Sequence, residues 1–131
     1  MTQVDSHKFA CVAAQFLDDK LAKNITILNI SNVSSLADFF VIATGDSTPH
    51  VKALMETVKD KVKTTFSRLP VRQENDLKNR WNLIDYGDVV IHILHKEERE
   101  TYAIEKFWSH AYSISEDEWR ETAKEYSEYT K

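Results

Sequence analysis

The sequence predicts one α/β domain in which helices pack against a mixed β-sheet, in the order α-β-β-α-(β)-β-β-α. Three observations support this fold class: apolar residues recur at helical spacing, short β-branched runs lie between those segments, and two such runs flank a tight turn. The chain has 131 residues, 42% of them hydrophobic, which suits one ordinary domain with its own core. Alternating helices and strands favour helices layered on a sheet in two or three layers rather than a helix bundle.

The first third of the chain predicts a helix followed by two strands. A helix capped by Asp5 or Ser6 and ending near Ala22 follows from apolar residues at helical spacing, namely Phe9, Val12, Ala13, Phe16 and Leu17. Residues 25–30 are short and rich in β-branched side chains, as is typical of a strand. The continuous apolar run at 39–43 predicts a central strand covered on both faces.

A second helix and an exposed connection come next. Gly45 ends the apolar run, and the Thr48 hydroxyl is predicted to cap a helix with Pro49 in its first turn. One apolar stripe marks the helix, formed by Val51, Leu54, Met55, Val58, Val62 and Phe66. Residues 67–80 are mostly polar and predict an exposed connection, with a short edge strand around Val71.

Residues 81–94 predict an antiparallel hairpin. The runs 81–84 and 89–94 flank the turn residues 85–88 closely enough that direct pairing is the simplest arrangement. Gly87 supplies the permissive backbone that a tight turn requires. The hairpin is the firmest structural prediction that the sequence supports.

The last third predicts two more helices. The first follows the charged run 96–100 and carries apolar residues at helical spacing, namely Ile104, Phe107, Trp108 and Ala111. The second begins at the capping-box pattern of residues 115–118 and presents Trp119, Ala123 and Tyr126 on one side. We therefore divide the chain into a domain at residues 1–112 and an acidic helical extension at residues 113–131.

Composition narrows the class of partner. The formal net charge of −4 argues against a surface that holds nucleic acid through its phosphates and suits a basic protein partner better. Cys11 is the only cysteine and cannot form an internal disulfide, and the first residues lack a signal-peptide pattern. No run approaches the roughly 18 apolar residues of a membrane span. We expect a cytoplasmic protein without a membrane role.

Asp85 and Asp88 are the most obvious carboxylate pair. Two metal-binding acids on a strand normally lie two residues apart, where side chains return to the same face, whereas these two lie three apart across a turn. Turn chemistry or contact with a partner is the favoured interpretation.

The remaining polar motifs predict no catalytic residue, metal site or cofactor. Residues 45–47 precede a helix and suit an anion, but they lack a P-loop lysine and a dinucleotide-binding glycine pattern, which favours plain capping. Ser47 and His50 have no third group to orient the imidazole. His92 alternates with Val90 and Leu94 and is predicted to be a hydrogen-bonded, half-buried histidine.

Large aromatic side chains are candidate interface anchors. Trp108 is in helical register with Ile104 and Ala111, which favours the core. Trp81 begins an edge of the hairpin and Tyr86 lies at its turn, so these two are the better candidates for exposure, with core packing as the alternative.

Several motifs in order match a known family: residues 37–45, 50–51, Trp81, 85–92, 98–102 and Trp108. Together they closely resemble the ribosome silencing factor family, RsfS/Iojap, from about Asp5 to Ala111. The resemblance implies a nucleotidyltransferase-like topology without the catalytic site. It also implies binding to ribosomal protein L-fourteen on the large subunit, which blocks joining of the small subunit and represses translation, with little direct contact to nucleic acid.

The resemblance implies a partner-binding surface made of Trp81, Asp85, Tyr86, Asp88, Glu97, Glu98, Arg99, Glu100 and Tyr102. The aromatic side chains would supply apolar area, the acids would complement basic side chains, and Arg99 and Tyr102 would order the patch. Two alternatives stay open: a metal-dependent nucleotidyl or phosphoryl transferase, and a large-subunit assembly factor. Residues 76–79 depart from the small residues common in the family. The C-terminal extension is an exposed helix, a cap over the core or an element of a homodimer.

Overall fold

A computed structural model describes residues 5–102, 106, 108 and 110–130, with side chains as far as residue 127. The elements in chain order are α1 (Ser6–Asp19), β1 (Lys23–Asn29), β2 (Phe39–Gly45), α2 (Thr48–Phe66), β3 (Arg72–Glu74), β4 (Trp81–Asp85), β5 (Val89–His95), α3 (Lys96–Tyr102), β6 (Tyr112–Ile114) and α4 (Glu116–Thr130). No helix in the described ranges is long and apolar enough to cross a membrane.

The six strands form one mixed sheet in the order β3-β4-β5-β2-β1-β6. The pair β2 and β5 is parallel, and the other neighbouring pairs are antiparallel. Every residue of β2 is buried, which confirms the prediction of a central strand covered on both faces. The predicted α/β class with a mixed sheet is confirmed.

Alternation along the central strands divides the core into two clusters. Phe39, Val41 and Ala43 point to the face covered by α1 and α2, where the larger cluster lies. Phe40 and Ile42 point to the opposite face, where a smaller cluster forms with residues of β1 and β5 and with Trp81, Leu83 and Trp108. Trp108 is half-buried against Phe40, with ring centroids 5.1 Å apart, as the core interpretation predicted. Ile104 and Phe107 lie outside the described residues.

Two helix boundaries differ from the predicted ones. α1 is capped by Asp5, whose carboxylate accepts from the Lys8 N–H at 2.8 Å, and it ends at Asp19 rather than near Ala22. The predicted cap of α2 is wrong by one residue, because the extended residue Ser47 accepts from the His50 N–H at 3.2 Å. A capping hydroxyl bonds the N–H of the second or third helical residue, and because Pro49 at the second position has no N–H, Ser47 bonds the third residue, His50.

The hairpin is confirmed. β4 pairs with β5 so that Asp85 lies opposite Val90, and the Tyr86 N–H donates to the Val89 carbonyl at 2.9 Å. Gly87 has φ +94°, a left-handed conformation that glycine adopts without a steric penalty. The Asp85 carboxylate accepts from the Gly87 N–H at 2.7 Å, so this acid stabilises the turn itself.

The C-terminal segment packs on the core. The strand β6, which the sequence did not predict, pairs with β1, and the predicted boundary at residue 112 falls within it. α4 buries Trp119 to 1% exposure, and Arg120 donates to both Asp18 oxygens at 2.9 and 3.1 Å. Hydrogen bonds from Arg120 hold the pKa of Asp18 below its usual range. α4 therefore packs as a cap over the core, which is one of the three roles left open by the sequence.

Candidate docking surface

A groove of about 450 Å³ lies where β4 meets α3. Trp81, Leu83 and Tyr102 form its apolar floor, and its charged rim consists of Glu74, Asp76, Lys78, Arg80 and Glu98. A concave apolar patch with a polar rim is the usual layout of a protein-binding site. We call this region the Trp81 groove.

Strand alternation creates the floor of the Trp81 groove. Asn82 and Ile84 are fully buried on the face of β4 that points towards α2, so Trp81 and Leu83 lie on the half-exposed face. α3 follows β5 directly and brings Tyr102 alongside, with the rings of Trp81 and Tyr102 5.0 Å apart. Tyr102 remains 49% exposed, so the floor is accessible to a partner.

The acids at the α3 end of the Trp81 groove are paired within the chain. Arg80 Nη2 lies 2.7 Å from Glu97 Oε2 and 2.8 Å from Glu98 Oε1, and Arg80 Nε donates to Glu98 Oε2 at 2.9 Å. These contacts lower the pKa of Glu98 and raise that of Arg80. Arg80 thus neutralises much of the negative charge that we expected to face a basic partner.

Side-chain amides and one carboxylate hold the loop before Trp81. The Asp76 carboxylate accepts from the backbone N–H groups of Lys78 and Arg80 at 3.2 and 2.9 Å. The buried Asn82 accepts from the Asp76 N–H at 2.9 Å and donates to Asn79 Oδ1 at 3.1 Å. Asn79 has φ +54°, which an asparagine tolerates better than most residues. These contacts fix the groove wall at residues 76–79.

His92 lies beneath Trp81. The indole Nε1–H of Trp81 donates to His92 Nδ1 at 3.2 Å, and His92 is only 7% exposed. The predicted hydrogen-bonded histidine is confirmed, although it is buried rather than half-buried. Burial, helped by the nearby charge of Arg99, lowers the pKa of His92 to about 4, so the ring is neutral at physiological pH.

The depressed pKa of His92 predicts a loss of stability in mild acid. The unfolded chain titrates this group near 6.5 and the folded chain near 4, so the unfolded state binds more protons between these values. The free energy of unfolding should therefore fall as the pH drops from 6.5 to 4, by on the order of 3 kcal/mol from this group. Urea unfolding across that range should show a shallower pH dependence for His92→Leu. Parallel profiles for the two proteins would contradict the prediction.

The turn end of the hairpin lies apart from the Trp81 groove. Asp85 is four residues along β4 from Trp81, or about 13 Å at the usual rise of a strand. The expectation that Tyr86 is exposed is wrong: it is 3% exposed and its ring packs edge-on against Phe9 at 5.2 Å. The Tyr86 side chain packs on the α1 face of the sheet because the removal of its apolar surface from water is favourable. Burial also raises the pKa of Tyr86 to about 12.

Comparisons with known proteins place the chain in a family. The family model described as "Ribosomal silencing factor during starvation" matches residues 3–131. The chain is 38% identical over 100 residues to the ribosomal silencing factor RsfS of Bacillus subtilis, covering 76% of this chain and 84% of that protein. This chain belongs to the ribosomal silencing factor family.

Two further relatives support the assignment to the ribosomal silencing factor family. A mouse protein named "Mitochondrial assembly of ribosomal large subunit protein 1" is 32% identical, over 67% of this chain and 40% of that protein. A crystal structure of a Chromobacterium violaceum protein superposes with a TM-score of 0.77 at 34% identity, covering 81% of this chain and 88% of that one. The resemblance seen in the sequence is confirmed.

The nine residues implied by the family resemblance extend beyond the Trp81 groove. Trp81, Glu97, Glu98 and Tyr102 lie at or beside the Trp81 groove. Asp85, Tyr86 and Asp88 lie at the turn, where Asp88 pairs with Arg68 at 2.8 Å. Arg99 is 8% exposed and donates to the hydroxyls of Thr44 and Thr26 at 2.9 and 3.0 Å, while Glu100 lines a separate cavity of about 820 Å³ beside β1 and α4.

Sequence reasoning missed five residues of the Trp81 groove, namely Glu74, Asp76, Lys78, Arg80 and Leu83. Leu83 belongs to the apolar floor, and the two-residue period of a strand was a signal that could have placed it beside Trp81. Arg80 belongs to the charged rim. Its pairing with Glu97 spans 17 residues and carries no local signal in the sequence.

The polar clusters of this protein are engaged internally where the structure describes them. Ligand atoms of His95, Glu97 and Glu98 lie within 4.8 Å of one another. Arg80 contacts both carboxylates, however, and His95 Nδ1 accepts from the Glu97 N–H at 3.2 Å. The geometry favours an ion-pair network over a metal site.

The loop at residues 45–47, where an anion was the less favoured alternative, is also engaged internally. The Asp46 N–H donates to His50 Nδ1 at 3.0 Å, and the Ser47 hydroxyl caps α2. Plain capping was the favoured interpretation of this loop, and the observed cap agrees with it.

Proposed function

We propose that this protein docks on the large ribosomal subunit through the Trp81 groove, contacts ribosomal protein L-fourteen there and blocks joining of the small subunit. The observation that carries the proposal is an accessible floor of Trp81, Leu83 and Tyr102 in a member of the ribosomal silencing factor family. Blocking requires only a rigid body that occupies surface needed by the small subunit. Translation is then repressed without any covalent step or cofactor.

The floor of the Trp81 groove should supply most of the affinity. Large aromatic side chains that become fully buried dominate protein interfaces, whereas charges at a rim mainly speed the encounter. Arg80 already pairs with Glu97 and Glu98, and Arg72 pairs with Glu74 at 3.2 Å. Asp76 is then the acid of the rim that would meet a basic side chain. We therefore expect a moderate dependence of binding on salt.

The remaining features of the proposal concern location and assembly. We propose that the protein acts in the cytoplasm and does not rely on direct contact with nucleic acid, in line with its net charge of −4. A homodimer is also part of the proposal. Light scattering across a range of protein concentrations measures the oligomeric state directly. A mass of one chain at every concentration would contradict the homodimer.

A subunit-reassociation assay tests the proposed function. Purified large and small subunits are mixed, with and without saturating protein, at a magnesium concentration at which they associate. The mixture is then separated on a sucrose gradient. We expect the peak of whole ribosomes to fall and the protein to migrate with the large subunit. Unchanged recovery of whole ribosomes at saturating protein would contradict the blocking role.

Large-subunit assembly is a second candidate, favoured by the name of the mouse relative. The two roles differ in cells that lack the protein. If the protein is an assembly factor, cells that lack it accumulate immature large subunits during growth. If it blocks joining, cells that lack it contain mature large subunits and an excess of joined ribosomes under starvation. Gradient profiles combined with ribosomal RNA processing assays distinguish these outcomes.

A further inference from the structure

The hydrogen-bonding group of Trp81 points into the protein. Its indole N–H, the only donor of the side chain, donates to His92 Nδ1 at 3.2 Å. The backbone supports this arrangement, because Leu83 lies directly opposite His92 in the β4–β5 pair and Trp81 is two residues before it on the same face. A partner in the Trp81 groove would therefore meet ring carbons rather than the N–H.

The contact also selects one tautomer of His92. A neutral imidazole carries its proton on one nitrogen, and a nitrogen that accepts a hydrogen bond is the unprotonated one. Nδ1 accepts from Trp81, so the proton resides on Nε2. That atom is buried and has no hydrogen-bond partner among the described residues. The proton on Nε2 keeps Nδ1 available to Trp81.

The surroundings of His92 keep the ring neutral and in place. Its ring packs edge-on against Phe40 at 4.8 Å, and its centroid lies 6.1 Å from that of Trp81. The positive charge of Arg99 opposes protonation of His92 from the side of α3. A protonated ring would point an N–H at the indole N–H, and the two donors would repel each other.

We propose that His92, as the neutral Nε2–H tautomer, is the positioning residue of the Trp81 groove. It holds the indole so that a partner meets its carbon edge and ring face, which suits an aliphatic or cationic side chain and disfavours a hydrogen-bond acceptor. This inference rests on the proposed function and specifies the chemistry of the partner at that site. Tyr102, whose ring centroid lies 5.0 Å from that of Trp81, adds to the support.

The first test uses the free protein and involves no ribosome. Nitrogen-15 NMR of the histidine rings near pH 7 distinguishes a protonated nitrogen from an unprotonated one. For His92 we expect an unprotonated Nδ1 and a protonated Nε2, together with slow hydrogen exchange at the Trp81 indole. Protonation at Nδ1 would overturn the inference and would leave the docking proposal standing.

The second test measures binding with two matched variants. His92→Asn keeps an acceptor atom on Cγ, where Nδ1 is attached, whereas His92→Leu has no acceptor. By co-sedimentation with purified large subunits we expect His92→Leu to bind roughly fivefold more weakly than His92→Asn, the usual effect of one hydrogen bond. In a Trp81→Phe background, which has no N–H to position, the two variants should bind equally.

The outcomes separate the two proposals. Equal binding of His92→Asn and His92→Leu in the presence of Trp81 would overturn the positioning role, as would a difference that persists in the Trp81→Phe background. Failure of the unaltered protein to bind large subunits would instead overturn the docking function. If either variant fails to fold, the tautomer measurement on the unaltered protein still decides the inference.

Discussion

Trp81→Ala is expected to weaken binding to purified large subunits by about 30-fold or more, which corresponds to the 2 kcal/mol that marks an interface hot spot. The substitution removes the indole ring from the floor of the Trp81 groove, so that Leu83 and Tyr102 alone form the apolar surface. Tyr102 also loses the ring that lies 5.0 Å from its own. Co-sedimentation with large subunits over a range of protein concentrations measures the change. Near-normal co-sedimentation of Trp81→Ala with large subunits would contradict the assignment of the docking surface.

Tyr112→Ala is the matched control for Trp81→Ala. Tyr112 is an aromatic residue of the opposite edge strand, β6, and is 65% exposed, so its removal tests for a general effect of lost aromatic area. We expect its binding to change by less than about twofold, as for a residue outside an interface. Single acid-to-amide changes such as Glu97→Gln should also have smaller effects than Trp81→Ala, because Arg80 already neutralises that acid. Urea unfolding of each variant confirms that the fold persists.

Trp119→Ala should lower the free energy of unfolding by about 3–5 kcal/mol, the usual range for a large buried aromatic side chain. Trp119 is 1% exposed, belongs to the larger core cluster and lies on α4. Its loss would leave a cavity between α4 and the rest of that cluster. Urea unfolding, followed by circular dichroism, measures the change in midpoint at constant slope.

Glu121→Ala is the control for Trp119→Ala, since Glu121 is an exposed residue of the same helix. We expect it to change the free energy of unfolding by no more than about 0.5 kcal/mol. A loss below about 1 kcal/mol for Trp119→Ala would show that α4 adds little to the cooperative core. That result would favour the division of the chain at residue 112.

The Trp81 groove shows how far charge can be inferred from a sequence. The acids of residues 97–100 suggested an electronegative face for a basic partner. In the folded protein Arg80 pairs with both Glu97 and Glu98, the Arg99 side chain is buried, and Glu100 lines another cavity. Four consecutive charged residues on a helix point in different directions because each advances about 100° around the axis. The binding chemistry of the groove is therefore carried mainly by its apolar floor.

The sequence alone determined the elements whose signals are local. The apolar run of β2, the stripe of α2 and the turn at Gly87 all rest on residues a few positions apart, and each was found where predicted. His92 as a hydrogen-bonded histidine followed from alternation along β5. These features depend on backbone periods and turn chemistry, which short stretches of chain express by themselves.

Only the tertiary structure decided how those elements combine into a site. The three-residue strand β6 has too short a pattern to be read from the sequence and exists because β1 offers it an open edge. The burial of Tyr86 depends on Phe9, which lies far away in the chain, and the pairing of Arg80 with Glu97 depends on how α3 follows β5. Such contacts arise from packing between segments that are distant in the chain, so a local pattern of residues does not predict them.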